Sequence, residues 1–135
     1  MPVATTSGVK IYWDELGQSE PVLLVMGLGS SSAMWHRIRP ALVTQYRTIA
    51  FDNRGIGQSD VPAGPYSIRE MAADAVAVLD AANIVNAHVL GISMGGMIAQ
   101  ELALQYPNRV RSLILGCTSP GGENAVRAAP DVQSV

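Results

Sequence analysis

Apolar residues along the chain alternate between two rhythms, and each change of rhythm predicts an element. "GVKIYWDELG", residues 8 to 17, mixes β-branched, aromatic and polar residues between two glycines, which predicts a strand after a short N-terminal one. "PVLLVMG" from Pro21 is apolar without a break, the pattern of a parallel strand covered on both faces. "SAMWHRIRPALVTQ" predicts a short helix that Pro40 limits or restarts, and "YRTIAFD" predicts the next strand. Ser67 to Glu70 has the spacing of a capping box. It opens a helix on which Ile68, Met71, Ala72, Ala75, Leu79 and Ala82 share one face. "AHVLGI" predicts a strand, Gly95 to Tyr106 a helix stopped by Pro107, and "VRSLILGCT" a last strand. This alternation predicts an α/β protein with a mostly parallel sheet and helices on both faces. After Pro120 the rhythm is lost, and residues 121 to 135 contain no further strand signal.

Composition narrows what such a fold could do. The 135 residues suit one domain, and 48% hydrophobic against 15% charged residues is ample for a core. A net charge of -2 without a basic run argues against a nucleic-acid partner. The longest apolar run, Val22 to Gly29, is far short of the ~18 to 20 residues of a membrane span. The N-terminus lacks the basic and apolar regions of a secretory signal. Cys117 is the single cysteine, so no internal disulfide or cysteine-rich metal site can form. These features predict a soluble chain in the reducing cytoplasm, with no metal and no cofactor.

The chemistry concentrates at Gly91-Ile92-Ser93-Met94-Gly95, where strand passes into helix with almost no loop. So sharp a turn forces its central residue into a strained conformation, and side chains beside it would clash, which accounts for Gly91 and Gly95. The Ser93 hydroxyl is then held clear of the sheet at a helix N-terminus, where amides favour developing negative charge. Three further stretches surround this turn: "VLLVMGLG" before it, "FDNRGIGQSD" at residues 51 to 60, and "YPNRVRSLILGCTSPGG" after it.

With these motifs the chain resembles the α/β-hydrolase fold family over nearly all of its length. The resemblance implies Ser93 as nucleophile and the amides of Leu28 and Met94 as oxyanion hole, with Gly27 and Gly29 keeping the early loop open. Losing one such donor typically costs ~3 kcal/mol of transition-state stabilisation. Family members often carry His-Gly at that loop, where this chain has Met26-Gly27, so the bracing a histidine would give is expected to be absent. Serine rather than aspartate at the turn points to acyl chemistry on esters, lactones or related small-molecule substrates. The resemblance further implies residues 1 to 120 as the N-terminal part of a hydrolase core, truncated after the strand that follows the elbow. Residues 121 to 135 are then an irregular tail or the start of a missing cap or C-terminal part.

Serine needs a base, and the family's chain order places acid and histidine after the nucleophile. Both histidines here precede it. His88 opens the strand that Ser93 closes, ~16 Å away along an extended chain. His36, just after the oxyanion loop, is the candidate base, and Glu123 is a candidate acid. Asp52 is expected to hold the "DNRG" loop together with Arg54. The elbow is therefore present without its relay, and the chain alone is expected to be a very poor hydrolase. A non-catalytic binding or assembly module on the same scaffold is the alternative. A remote alternative is a dinucleotide-binding domain, with Gly27-Leu28-Gly29 as a partial glycine motif and Asp52 on the ribose. The last strand carries Leu113, Ile114 and Leu115 in a row. As an exposed edge it predicts a homodimer or association with a C-terminal half.

Overall fold

The structure, a computed structural model, describes residues 2 to 122. Strands β1 (Val3–Thr6), β2 (Val9–Leu16), β3 (Pro21–Val25), β4 (Arg47–Phe51), β5 (Ala87–Ile92) and β6 (Val110–Gly116) form one sheet in the order β1-β2-β4-β3-β5-β6. β1, β2 and β4 pair antiparallel in succession, whereas β4, β3, β5 and β6 are mutually parallel. Helices α1 (Arg39–Leu42), α2 (Ile68–Ala81) and α3 (Met94–Gln105) supply the crossovers.

Period-two alternation along the central strands sorts side chains between two cores. Leu23 and Val25 of β3, Ile49 and Phe51 of β4 and Val89 of β5 pack with Met71, Ala75, Leu79, Ile98 and Leu102 from α2 and α3. Val22, Leu24, Met26 and Ala50 face the other way, under Trp35, Leu42 and Tyr46. Helices thus lie on both faces, but the second layer is thin. The first helical segment splits into a 3₁₀ turn, Ser32–Arg37, and the single turn α1, with Pro40 in its opening positions. Proline lacks the amide that an interior helical bond requires and fits a first turn, so it restarts the segment.

Helix α2 begins as the serine–glutamate spacing predicts. The Glu70 amide donates to Ser67 Oγ at 3.0 Å and the Ser67 amide to Glu70 Oε1 at 3.1 Å. Its buried face includes Met71, Ala72, Ala75 and Leu79, and also the acidic Asp74. β6 is the sheet's edge among the described residues, with Leu113, Ile114 and Leu115 exposed by 37%, 51% and 42%. It ends at Gly116, which leaves Cys117 outside the strand and exposed.

Candidate active site

Ser93 stands between the last residue of β5 and the first of α3, with φ 55° and ψ −124°. A non-glycine residue there stores of order 1–3 kcal/mol of strain, which the surroundings must hold. They do so through backbone. The Ser93 amide donates to the Gly116 carbonyl at 2.9 Å, tying the turn to the end of β6. The Ser93 carbonyl accepts from the Gly96 amide at 2.9 Å and from Thr118 Oγ1 at 2.6 Å.

The glycines divide the work differently from the simple expectation that Gly91 and Gly95 are needed to clear the serine. A Cβ on Gly91 would lie 2.8 Å from Gly96 Cα, and one on Gly95 would lie 2.7 Å from the Met26 carbonyl oxygen. These two positions let α3 approach β5 and β3. It is Gly27 whose added carbon would meet the serine, 3.2 Å from Ser93 Cβ. Gly29, at φ +74°, meets nothing within 4 Å and serves the loop's left-handed turn.

A cleft of about 550 Å³ lies over the hydroxyl, lined by Leu28, Ser93, Met94, Met97, Cys117, Thr118 and Ser119. A second cleft of about 340 Å³ adjoins it through Leu28 and Met94, and runs over Asn53, Tyr66 and Met71. Neither the Leu28 nor the Met94 amide has an acceptor among the described residues. Of the apolar methionines Met26, Met34, Met94 and Met97, Met26 is core, Met34 is 56% exposed, and Met94 and Met97 line the serine's cleft.

His36 is not brought to this cleft. It lines a different cavity of about 630 Å³ with Asp14, Arg39 and Asp52, and its Nδ1 is 3.1 Å from the carbonyl of Ala33 in its own turn. His88 lies at the opposite end of β5, between Ser112 and Glu20. Glu123 lies outside the described residues. No histidine, aspartate or glutamate among the described residues lines the Ser93 cleft.

The loop after β4 is held by three consecutive buried polar residues that reach three different elements. Asp52 accepts from the Ser32 amide at 2.7 Å and from the Gln58 amide at 2.9 Å. Asn53 Nδ2 donates to the Met26 carbonyl at 2.9 Å. Arg54 forks onto Asp74 at 2.7 and 2.8 Å, reaches Glu70 at 3.2 Å, and stacks over Tyr66. Hydrogen bonding to Asp74 pushes the Arg54 guanidinium above its ordinary range, so it stays charged although buried. Asp52 and Arg54 therefore secure this loop through separate partners rather than with each other. Sequence reasoning missed Asp74 and Asn53, because one looks like an exposed helical acid and the other like a loop amide. With Asp52 2% exposed and committed to two amides, the glycine-and-acid pattern of a dinucleotide site has no free carboxylate.

This sheet order, with a strained serine between β5 and α3, is the architecture of an α/β hydrolase. The family model described as alpha/beta hydrolase fold matches residues 20–134, and the chain belongs to that family. A protein of Azorhizobium caulinodans named "Putative carbamate hydrolase RutD" is 42% identical over 115 residues, 85% of this chain and 43% of that protein. The 3-oxoadipate enol-lactonase 2 of Acinetobacter baylyi is 34% identical over 117 residues, 85% of this chain and 44% of the enzyme. Among solved structures, Est816, described as an N-acyl homoserine lactone degrading enzyme, matches with a TM-score of 0.84 at 37% identity. That match covers 87% of this chain and 46% of Est816. The chain spans less than half the length of these relatives. No helix of the described residues is long and apolar enough to cross a membrane.

Proposed function

We propose that Ser93 is the nucleophile of a serine hydrolase acting on carboxylic esters, lactones or related small acyl substrates. The Ser93 backbone carries this reading: strain of that kind, in a non-glycine residue at a strand-to-helix turn, persists where exposing the hydroxyl is its use. In the proposed reaction Ser93 Oγ attacks the acyl carbon and the carbonyl oxygen becomes an oxyanion. The amides of Leu28 and Met94 are its proposed donors, stabilising the charge as it develops. Carbamates, enol-lactones and homoserine lactones, the compounds in the relatives' names, share an acyl carbon bonded to a heteroatom.

The proton from Ser93 requires a base, and the cleft offers no imidazole among the described residues. We therefore expect the chain alone to hydrolyse a short activated ester at close to the background rate, with His36→Ala changing nothing. Robust turnover lost in Ser93→Ala would refute this incompleteness. Loss in His36→Ala as well would make His36 the base.

A binding or assembly module is the second reading, favoured by the same empty relay position. A fluorophosphonate probe separates the two. Slow labelling at Ser93, absent from Ser93→Ala and intact in Ser112→Ala, supports the hydrolase. A chain that never labels counts against the hydrolase reading.

The exposed apolar row of β6 is the remaining part of the proposal: it pairs with a second copy or with a C-terminal half that carries acid and histidine. A stable monomer in light scattering at tens of micromolar would contradict it. A cytoplasmic setting fits the single cysteine.

A further inference from the structure

We propose that Asn53 is a positioning residue for the oxyanion loop, holding the segment that carries the Leu28 amide. The inference rests on the assignment of Leu28 to the oxyanion hole. That loop leaves the sheet at Met26 and enters the 3₁₀ turn at Ser32. Two neighbours in sequence hold its two ends: Asn53 donates to the Met26 carbonyl, and Asp52 accepts from the Ser32 amide. Between these anchors Leu28 and Gly29 form a turn, no amide from Gly27 to Ser31 makes a well-formed hydrogen bond among the described residues, and Leu28 is 78% exposed. The side-chain hydrogen bonds that reach this loop from the rest of the fold are therefore at its ends.

The Met26 carbonyl is the tighter anchor. It lies where Gly95 of α3 comes so close that a Cβ there would stand 2.7 Å away. The next residue, Gly27, lies against Ser93, and the one after supplies the amide in question. A shift at Met26 would move the Leu28 amide relative to the serine oxygen. Asn53 cannot drift, because Asp52 and Arg54 on either side are buried and bonded to other elements.

The asparagine's orientation follows from chemistry. A carbonyl only accepts, so the amide nitrogen must face Met26. Its oxygen is then buried with no partner among the described residues, a destabilising state. Leucine has nearly the same size and would remove this oxygen, but it would leave the Met26 carbonyl without the one donor it has among the described residues. An asparagine here is better explained by the carbonyl it holds than by packing.

Asn53→Leu separates the two roles in the full chain. The thermal midpoint should change little, because an orphaned Met26 carbonyl replaces the unpaired asparagine oxygen, whereas ¹⁵N order parameters of Gly27, Leu28 and Gly29 should drop from about 0.85 to below about 0.6. Leu23 and Leu24 in β3 should be unchanged. Asn53→Asp keeps the shape, cannot donate, and turns a carboxylate toward the carbonyl, so it should loosen the loop and also lower the midpoint. Order parameters equal to wild type in both variants overturn the proposal.

Fluorophosphonate labelling of the same proteins reads the link to chemistry. Labelling of Ser93 slowed on the order of tenfold in Asn53→Leu supports it, as one misplaced oxyanion donor should slow attack. Unchanged labelling beside a loosened loop overturns it. A wild-type chain that never labels counts against the hydrolase reading, and the order parameters then decide the brace on their own.

Discussion

The two ends of β5 each hold a serine, and they are built on opposite terms. At the carboxyl end Ser93 has a strained backbone, unpaired amides at Leu28 and Met94, and a cleft, but no imidazole among the described lining residues. At the amino end His88 pairs in register with Ser112 of β6. There the residue types of a relay stand in a row: Ser112 Oγ is 2.6 Å from His88 Nδ1, and His88 Nε2 is 3.1 Å from Glu20. Yet Ser112 sits in the parallel ladder, just past a register irregularity that skips Arg111, outside the left-handed region and on an exposed edge. An inventory of side chains would choose the wrong end. What distinguishes the carboxyl end is backbone: where it is forced, which amides it leaves free, and which glycines let it close.

If backbone closure is what sets the site end apart, adding one methyl group should show it. Gly95→Ala places a carbon 2.7 Å from the Met26 carbonyl and closer still to that of Val25, and neither can rotate away. We expect a loss on the order of 3 kcal/mol in denaturant unfolding, at the upper end for overpacking because the obstacles are main chain. Gly116→Ala, at the end of β6, meets nothing within 4 Å and should stay within about 0.5 kcal/mol of wild type. Equal losses at the two positions would mean that the elbow's tight packing is not special.

The site end was also the more legible in sequence, and the reason is local. A turn this sharp must be written in neighbouring residues, so Gly91, Ser93 and Gly95 declare it. The cap of α2 is local for the same reason: both of its bonds lie within Ser67 to Glu70. What stayed hidden was every contact that joins distant parts of the chain. Asn53 reaches back 27 residues to Met26, and Arg54 reaches forward 20 to Asp74. Asp74 interrupts an apolar helical stripe, and nothing in its neighbours shows that a guanidinium awaits it. The break in the first helical segment was visible in Pro40, whereas its 3₁₀ start depends on Trp35 burying itself under the thin second layer.

The same contrast between ends extends to charge. Asp74 is 1% exposed and forked onto an Arg54 that is itself buried. Removing it in Asp74→Ala strands a cation that only the half-exposed Glu70 can answer, so about 3 kcal/mol or more should be lost. Glu20, at the His88 end, makes comparable contacts on paper: 3.1 Å to His88 and 3.4 Å to Arg111. Its side chain is 52% exposed, however, so water screens both pairs and solvates whatever is left behind. Glu20→Ala should therefore change stability by no more than about 1 kcal/mol, less in high salt, and should leave Ser93 labelling untouched. Urea unfolding of the two variants side by side checks this. A Glu20→Ala loss as large as that of Asp74→Ala would mean that the amino end is clamped as firmly as the site. Ser112 and His88 would then have the rigidity that an ordinary edge strand does not give them.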